Sequence, residues 1–518
     1  MSALPAGFTV RLASDVLVAD GGRLLVGGSP LTAMRLSAQA HQMLVDNTIC
    51  VTDEQTAHVA QRLLATNLGV PDLANVAEAD ADALTVVIPV RDRPAQLDRA
   101  LGALTPLRSV VVDDASLDRS AVAAIAARHG ARLLPLEANV GPAAARNAGA
   151  ALVTTPFIAF VDSDVEVDAT TLLMLTRHFA DPQVCLVGPR ITGVVRSERP
   201  RWFERYDVVA SSLTLGEKSA SVAPGSDVGW LPSACLVGRT SIVAGAFDES
   251  LRVGEDVDLV WRLVAQGHRV RYDPTIEAGH DTRTTLWSWL GRKAFYGSGS
   301  AKLAERHGDA LAPAVLTPTF AAAAAALLLR NRWSGPSAAV GLAVGMRAVQ
   351  KALPPTPDRR RVAGRLALRG LCWAVRQEAS LLLRHWWPVA ACGALASRNL
   401  RRAMATAVVV DSFVGLAEHR ERTEHVSPFL LALGRRLDDA AYGTGLWWGA
   451  ARAGSPTSLL PRRPHHLKRQ AASLPHLPTV FRRGSNARGN CGARSPRGRE
   501  STRDPQGAGR PGDGPASI

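Results

Sequence analysis

The segment from Leu84 to about Asp281 most restricts the fold of this chain of 518 residues. Short runs rich in Val and Ile, such as LTVVIPV at residues 84–90 and FIAFV at residues 157–161, alternate there with Ala-rich stretches of helical spacing. Strands that alternate with helices are typical of a mostly parallel sheet with helices on its faces. The segment therefore predicts an α/β domain over residues 84–282.

Two carboxylates lie at the end of one predicted strand. The run FIAFV is followed directly by Asp162, Ser163 and Asp164. Open α/β sheets bind ligands just beyond the carboxyl ends of their strands, which is where this pair is placed. Two roles fit it: the carboxylates could share a divalent cation with a bound phosphate, or they could cap the helix that begins near Asp168.

Two other predicted strands also end at polar or turn-forming residues. The first closes at Pro89, and the second closes on Asp113 and Asp114. Aspartates at strand ends are common turn formers, so each residue alone has an ordinary explanation. Their repetition at successive strand ends predicts a ligand site at this edge of the sheet.

A turn and a helix N-terminus follow in NVGPAAARNAGAAL at residues 139–152. Gly141 marks the turn, and the helix carries Arg146 one turn in, with Asn147 beside it. A helix N-terminus with a nearby guanidinium suits a diphosphate, although Arg146 also fits a solvated helix face. In this order, and ahead of Asp162, these features favour a nucleotide diphosphate site.

These motifs resemble the GT-A glycosyltransferases of the large inverting family that includes the cellulose, chitin and hyaluronan synthases. The resemblance covers roughly residues 84–282 and implies transfer of a sugar from a nucleotide-sugar. It implies that Asp164 binds Mg²⁺ or Mn²⁺, with His280 as a further candidate metal ligand. The residues assigned to the nucleotide-sugar site are Pro89, Arg91, Asp113, Asp114, Asn139, Gly141, Arg146, Asn147 and Asp162.

The same resemblance assigns the acceptor side of the site. Glu255 and Asp256 match the family's Glu-Asp motif ahead of an amphipathic helix. Inverting transfer needs one carboxylate to accept the proton of the acceptor hydroxyl, and we assign this role to Asp256, with Glu255 in support. Trp230 and Pro232 are expected beside the acceptor sugar, because an aromatic ring packs on the apolar face of a pyranose.

One family signature is missing. The Gln-x-x-Arg-Trp motif of the processive synthases does not occur after Asp256. In its place, Arg292, Lys293 and Tyr296 are candidate contacts to a phosphate or to the acceptor. Processive synthesis of the cellulose type is therefore in doubt.

Residues 283–454 are predicted to form a helical region, because Ala, Leu, Arg and Trp dominate there and strand patterns are largely missing. The longest apolar runs, residues 320–329 and 337–346, are shorter than the roughly 20 residues that cross a bilayer, and they favour helices packed against other helices. Trp386 and Trp387 lie near several arginines, which leaves a peripheral membrane contact as an open alternative.

Residues 1–83 predict a small α+β module. Apolar runs flank Asp20-Gly21-Gly22, which indicates a hairpin, and residues 31–46 and 52–69 have helical spacing. The pattern resembles the winged-helix-like peptide-recognition module of the pyrroloquinoline-quinone chaperone. Joined to a GT-A domain and a helical region, it resembles the actinobacterial glycosyltransferase family of the mycofactocin pathway. That resemblance implies transfer from UDP-glucose to a peptide-derived small-molecule redox cofactor, building a short β-1,4-linked glucan.

The formal charge of +14 is concentrated near the end of the chain. Residues 451–518 contain thirteen Lys or Arg residues and three acidic residues, so the rest of the chain carries only about +4. This distribution disfavours nucleic acid as the partner of the folded region. The composition of residues 455–518, rich in Pro, Arg, Gly and Ser, predicts a disordered basic tail.

The cysteines and the start of the chain bear on its compartment. Six scattered cysteines without a C-x-x-C pair, and no signal peptide pattern at the start, favour a cytoplasmic protein, with association at the inner face of the cell membrane left open. The alternative function is a transferase that acts on a polyprenyl phosphate or on a cell-envelope polysaccharide. A bilayer requirement for activity would favour that alternative.

Overall fold

The computed structural model describes residues 3–420 and 426–463. The predicted disordered tail, residues 455–518, therefore lies outside the described residues from position 464 onward. Its first residues are ordered, because Thr457–Leu459 forms a short helical turn in which Leu459 is buried.

The N-terminal residues form two three-stranded antiparallel sheets and two helices. The first sheet has the order β5-β1-β6 and the second has the order β2-β3-β4. The strands are β1 (Thr9–Leu12), β2 (Leu17–Ala19), β3 (Leu24–Gly27), β4 (Thr32–Arg35), β5 (Thr48–Cys50) and β6 (Gly69–Asp72). The helices are α1 (Ala38–Gln42) and α2 (Glu54–Ala65).

The predicted hairpin is confirmed, because β2 and β3 pair across the turn at Asp20-Gly21-Gly22. The helix that we expected over residues 31–46 is wrong at its start, where Thr32–Arg35 forms β4. Only Met34 of β4 is buried, and its neighbours face outward. This alternation is the period of an edge strand, and pairing with β3 outweighs the local helical spacing.

A nine-stranded sheet forms the centre of the molecule. Its main path has the order β11-β15-β12-β14-β10-β7-β8-β9, and β13 pairs with β15. The strands are β7 (Leu84–Val90), β8 (Arg108–Asp113), β9 (Arg132–Pro135), β10 (Phe157–Val161), β11 (Val165–Glu166), β12 (Val184–Val194), β13 (Ala220–Val222), β14 (Cys235–Arg239) and β15 (Arg269–Asp281). Strands β7 to β10 are mutually parallel, whereas β14 is antiparallel to β10 and β12.

Helices cover both faces of this sheet. They are α3 (Pro94–Leu104), α4 (Arg119–Arg128), α5 (Pro142–Ala150), α6 (Ala169–Thr176), α7 (Trp202–Val209), α8 (Thr240–Val243) and α9 (Glu255–Ala265). Ala159 and Val161 of β10 pack in the core on one face, and Ile158 and Phe160 pack in the core on the other. The predicted α/β domain is confirmed, and the two-sided burial explains why its strands are almost continuously apolar.

The last described part is helical, as predicted. Its helices are α10 (Leu286–Ser298), α11 (Ser300–His307), α12 (Pro318–Leu329), α13 (Ser334–Ala352), α14 (Arg359–Ser380), α15 (Trp387–Ala396), α16 (Arg398–Glu418) and α17 (Pro428–Ala453). No helix among residues 3–420 and 426–463 is both long and apolar enough to span a bilayer. Trp386 and Trp387 are half-buried in this region, and the Trp386 indole donates to the Leu459 carbonyl, so neither is a freely exposed anchor.

Helices α10 and α17 touch through their backbones. A Cβ atom added to Gly445 would lie 1.9 Å from the Ala294 oxygen, and one added to Gly297 would lie 2.1 Å from the Tyr442 oxygen. Neither position has room for a side chain. Glycine at both positions is therefore what permits this close approach.

Hydrogen bonds and apolar contacts join the N-terminal sheets to the rest of the described chain. Asn67 donates to the Ser221 carbonyl at 3.1 Å and accepts from the Ser221 amide at 2.6 Å. The Ser29 hydroxyl accepts a hydrogen bond from the Asp227 amide at 2.6 Å. Residues of β2 and β3 also share a hydrophobic cluster with Leu353 and Val362 of the helical region.

Candidate active site

The carboxyl ends of β7, β8 and β10 meet at one edge of the sheet, because these strands are parallel neighbours. Asp162 follows β10, and its amide donates to the Ala234 carbonyl at 2.9 Å. The neighbouring Ser233 amide donates to the Asp256 carboxylate at 3.2 Å. The segment ahead of β14 therefore joins the Asp-x-Asp motif to the Glu-Asp motif, although these motifs are far apart in sequence.

Arg146 lies between the two motifs. Its guanidinium donates to Asp162 at 2.5 Å and to Glu255 at 3.1 Å, and it lies over the Phe247 ring, 5.4 Å from its centroid. Only 2% of the side chain is exposed. Burial alone would lower the pKa of Arg146, but the charges of Asp162 and Glu255 raise it. The guanidinium that we expected at a diphosphate is therefore engaged by two carboxylates.

Two guanidinium groups and one imidazole surround Asp164. Arg93 donates a very short hydrogen bond to it, the Arg283 guanidinium lies 3.5 Å from its Oδ2, and the His280 Nε2 lies 3.7 Å from the same atom. Burial would raise the pKa of this carboxyl, but the charges of His280, Arg93 and Arg283 lower it. Asp164 is therefore an anion within a positively charged environment.

The metal that the family resemblance implies can be tested against these groups. Asp164 and His280 converge and offer one oxygen and one nitrogen, but no group of three or more His, Cys, Asp or Glu side chains suited to a metal ion occurs in the described part of the chain. Mg²⁺ usually keeps waters and binds through one or two carboxylates plus substrate phosphates, so a pair of protein ligands fits that mode. Arg93 would have to give up its short contact with Asp164.

Asp256 has the opposite environment. Its Oδ1 accepts from the Val257 amide at 2.8 Å, its Oδ2 accepts from Ser233, and no cation contacts it directly among the described residues. Burial, followed by the negative charge of Glu255, raises the pKa of Asp256 to about 7. Asp256 is the second residue of helix α9 and is half-buried. A carboxylate poised near neutrality can accept a proton far better than an ordinary surface aspartate.

The remaining carboxylate of helix α9, Asp258, belongs to a different group. It accepts from Arg262 at 2.7 Å and from His307 at 2.8 Å, and it is buried. These contacts tie α9 to α11. Asp258 therefore stabilises the helix from the face that points away from Asp256.

Two predicted nucleotide contacts have partners within the protein. Asp113 accepts from the Ser116 amide at 3.0 Å, and Asp114 accepts from Asn139, from the Val140 amide and from the Gly141 amide at 2.7 to 3.0 Å. The carboxylate of Asp114 thus fixes the loop that leads into α5. Gly141 has a φ of +92°, which favours glycine at this turn.

Other predicted residues lie further from this cluster. Asn147 lies on helix α5 and exchanges hydrogen bonds with the backbone of Phe247, which belongs to the segment ahead of α9. Arg91 is exposed and lies 3.6 Å from Asp92, while Pro89 is half-buried within β7. The nucleotide roles assigned to these residues stay predictions.

The predicted acceptor residues lie beside Asp256, the predicted base. Pro232 is buried and directly precedes Ser233, and Trp230 is half-buried. The loop that carries them is held from α9, because the Trp261 indole donates to the Gly229 carbonyl at 2.7 Å. The structure therefore brings this loop and Asp256 together.

A second group of residues, Arg292, Lys293 and Tyr296, lines a groove beside His280 and Arg283. Lys293 is buried and paired with Asp207 at 3.3 Å and with Asp438 at 3.0 Å, which gives it a structural role. Arg292 and Tyr296 contribute a charge and a hydroxyl to the groove wall. Of the cationic residues around Asp164, Arg93 and Arg283 were not found from the sequence, where they carry no motif.

The curved α/β sheet and the polar cleft at its edge define a GT-A glycosyltransferase. The model of the glycosyl transferase family 2 matches residues 85–229. Over 469 residues, the chain is 39% identical to a pre-mycofactocin glycosyltransferase of Mycobacterium tuberculosis, and the alignment covers 89% of this chain and 98% of that protein. The chain therefore belongs to the pre-mycofactocin glycosyltransferase family, and the family predicted from the sequence is confirmed.

More distant similarities were also found. An uncharacterised glycosyltransferase of Mycobacterium bovis is 32% identical over 190 residues, which cover 36% of this chain and 82% of that protein. A mannosyltransferase of Pyrobaculum calidifontis, solved with GDP-mannose and Mn²⁺, is 20% identical with a TM-score of 0.35, and the alignment covers 64% of this chain and 89% of that one.

Proposed function

We propose that this enzyme transfers glucose from UDP-glucose to a peptide-derived precursor of mycofactocin and extends it into a short β-1,4-linked glucan. Membership of the pre-mycofactocin glycosyltransferase family supports the acceptor class. The observation that carries the chemistry is Asp256, a carboxylate with a pKa of about 7 beside the loop of Trp230 and Pro232.

The transfer reaction needs only this one proton acceptor. The acceptor hydroxyl oxygen forms a bond to the anomeric carbon of glucose, while the bond from that carbon to the diphosphate oxygen breaks. The hydroxyl proton moves to Asp256, and UDP leaves with the electron pair. Attack from the face opposite UDP inverts the anomeric centre, which converts an α-linked donor into a β-linked product.

We propose that the guanidinium groups at Asp164 receive the leaving group. Arg93 and Arg283 bring more positive charge than Asp164 alone neutralises. Two guanidiniums in a cleft can bind the oxygens of a diphosphate through fixed pairs of donors. Asp164 and His280 would hold Mg²⁺ or Mn²⁺, which when bound would stabilise the negative charge on the departing diphosphate.

The N-terminal module supports the acceptor side of this proposal. It bonds to Ser221 through Asn67 and to Asp227 through Ser29, and Asp227 lies three residues before Trp230. We infer that the module holds in place the loop that carries Trp230 and Pro232, which we call the acceptor loop. Asn67→Gly removes the bonding amide without strain, because Asn67 has a φ of +54° that glycine adopts readily. It should raise the KM for the acceptor and leave UDP-glucose affinity unchanged.

A matched control is Asn47→Gly, since Asn47 has a φ of +60° and an exposed side chain in the same module. Asn47→Gly should change neither constant. An acceptor KM that moves equally in the two variants would contradict a role for the module at the acceptor loop.

The donor and acceptor are tested together by mass spectrometry of products. The enzyme is incubated with Mg²⁺ or Mn²⁺, a panel of nucleotide sugars, and either a peptide-derived acceptor or a polyprenyl phosphate in detergent. We expect products that are heavier by whole hexose units only with UDP-glucose and the peptide-derived acceptor. Transfer confined to the polyprenyl phosphate would replace this proposal with the lipid-linked one.

A further inference from the structure

The buried side chain of Arg146 connects two groups of residues that do different chemistry. Its Nη2 bonds to Asp162, which belongs to the donor motif, and its Nη1 bonds to Glu255, which precedes the proposed base. Helix α5, which carries Arg146, supplies none of the other charged residues in this cluster. The position of each carboxylate therefore depends on a third element that lies between them.

The contacts of Arg146 leave little freedom. The guanidinium lies over the Phe247 ring on one side, and Asp162 and Glu255 occupy its two terminal nitrogens. Asp162 remains 30% exposed and faces the cleft, whereas the Glu255 side chain is 10% exposed. A planar fork that holds two carboxylates at once fixes both their distance and their orientation, which an ammonium group cannot do.

We propose that Arg146 is a positioning residue that couples the donor side of the cleft to the acceptor side through Asp162 and Glu255. A nucleotide that contacts Asp162 then changes the hydrogen bond between Arg146 and Glu255. Because Glu255 and Asp256 are adjacent on α9, this changes the position of Asp256 as well. The proposal rests on the proposed glycosyl transfer for its kinetic consequences, but the coupling itself is a property of binding.

The charge of Arg146 also acts on the base. The groups that face Asp256 are Glu255 on its own helix, Arg146 from α5, the Ser233 amide from the acceptor loop and Tyr296 from α10. Of these, Arg146 is the cation, and it favours the ionised carboxylate. Removing its charge should shift the acid limb of the rate profile to higher pH, because more of Asp256 would be protonated at a given pH.

The kinetic test compares Arg146→Gln, which removes the charge, with Arg146→Lys, which keeps the charge but not the fork. In single-turnover transfer at saturating donor, we expect the acid limb to move up by on the order of one pH unit in Arg146→Gln and by less in Arg146→Lys. Both variants should lower the rate at pH 8 by at least about tenfold, because the fork that places Glu255 is lost.

Arg239 provides the matched control. It is an arginine that also lies over a phenylalanine, 5.2 Å from the Phe179 centroid, and it bonds only to backbone carbonyls of Val184, Phe179 and Asp181 among the described residues. It pairs with Phe157, at the opposite end of β10 from Asp162. Arg239→Lys should lower the melting temperature and leave the acid limb where it is. An acid limb and rate in both Arg146 variants like those of Arg239→Lys would overturn the proposal.

A binding experiment tests the coupling without any transfer. UDP affinity is measured with Mg²⁺ for Asp162→Asn, Glu255→Gln and the double variant, first with Arg146 present and then in Arg146→Lys. Groups that share one partner are usually non-additive, so we expect a coupling of at least about threefold with Arg146 and none in Arg146→Lys. Additive effects with Arg146 present would refute the coupling. If the wild-type enzyme transferred no sugar but showed this coupling, the proposed function would fail and the role of Arg146 would stand.

Discussion

Asp164 and Asp256 lie in the same cleft, yet the protein treats them in opposite ways. His280, Arg93 and Arg283 face Asp164 and lower its pKa, whereas Asp256 is desolvated beside Glu255 and its pKa rises to about 7. The environment of Asp164 favours the anion, in keeping with its proposed role on the donor side, and that of Asp256 favours proton exchange, in keeping with its proposed role on the acceptor side. Environment, not residue type, therefore separates the proposed binding role of Asp164 from the proposed base role of Asp256.

Removing the proposed base should have the largest effect on activity. Asp256→Asn keeps the shape of the side chain but cannot accept the proton, so turnover should fall by about 10²- to 10⁴-fold. UDP-glucose affinity should stay near that of the wild type. The measurement is single-turnover glucose transfer, with donor affinity from calorimetry.

Glu255→Gln is the companion variant, because it changes the neighbouring carboxylate that is bonded to Arg146. It should lower turnover less than Asp256→Asn. If Glu255→Gln abolished transfer and Asp256→Asn retained it, the base would be Glu255.

A second test removes the anion on the donor side. Asp164→Asn should weaken the metal-dependent part of UDP binding by about 10- to 100-fold, because a contact with a charged group contributes roughly 1.5–3 kcal/mol. Titration of UDP by calorimetry, with and without Mn²⁺, measures this. A full metal-dependent gain in the variant would show that Asp164 does not hold the metal.

The pH dependence of the rate tests the role of Asp256. Asp256 must be ionised to act, so kcat/KM should rise with pH through an acid limb near pH 7. Glu255→Gln removes the negative charge that raises this pKa, and the limb should move to lower pH by on the order of one unit. A limb that stays in place, or that moves upward, would contradict the assignment of the limb to Asp256.

The two carboxylates should also affect stability with opposite sign. The folded protein holds a proton on Asp256 more tightly than the unfolded chain, so this group lowers stability as pH rises from about 4 to 7. At pH 8, Asp256→Asn should therefore raise the melting temperature by on the order of a few degrees.

Asp164 has a lowered pKa in the folded state, so it contributes stability above its unfolded pKa, near 4, and this contribution is lost as pH falls. Asp164→Asn should thus lower the melting temperature at pH 8. Differential scanning calorimetry at pH 8 measures the melting temperature of both variants. Shifts of the same sign would contradict the opposite electrostatic environments of Asp164 and Asp256.

The sequence predicted the carboxylates of this contrast, but not the electrostatic environment of each one. Asp162, Asp164, Glu255 and Asp256 carry local motifs, and the alternation of strands and helices placed the first two at the end of a strand. The electrostatics came from partners distant in the chain. Arg93 lies 71 residues from Asp164, so no local pattern reports their contact.

Two other features could not be predicted from the sequence, because they also depend on contacts between residues that are distant in the chain. Arg146 was predicted at a helix N-terminus, but its pairing with Glu255 spans 109 residues. Asp114 looked like a ligand contact because it ends a strand, and only the packed loop shows that its oxygens are used by Asn139 and by the Val140 and Gly141 amides. Residues with strong local signals were found, while their partners depended on tertiary contacts.

The backbone contact of α10 with α17 bears on how far this enzyme can be reduced. Helix α10 brings Arg292 and Tyr296 to the groove beside His280, and its Gly297 rests against the Tyr442 backbone in the last long helix. A catalytic fragment that stopped at residue 282 would lose that wall of the cleft. One that stopped after α10 would expose a helix face shaped to fit another helix. We therefore expect the catalytic and helical regions to be inherited together, and neither to be removable without harm to the other.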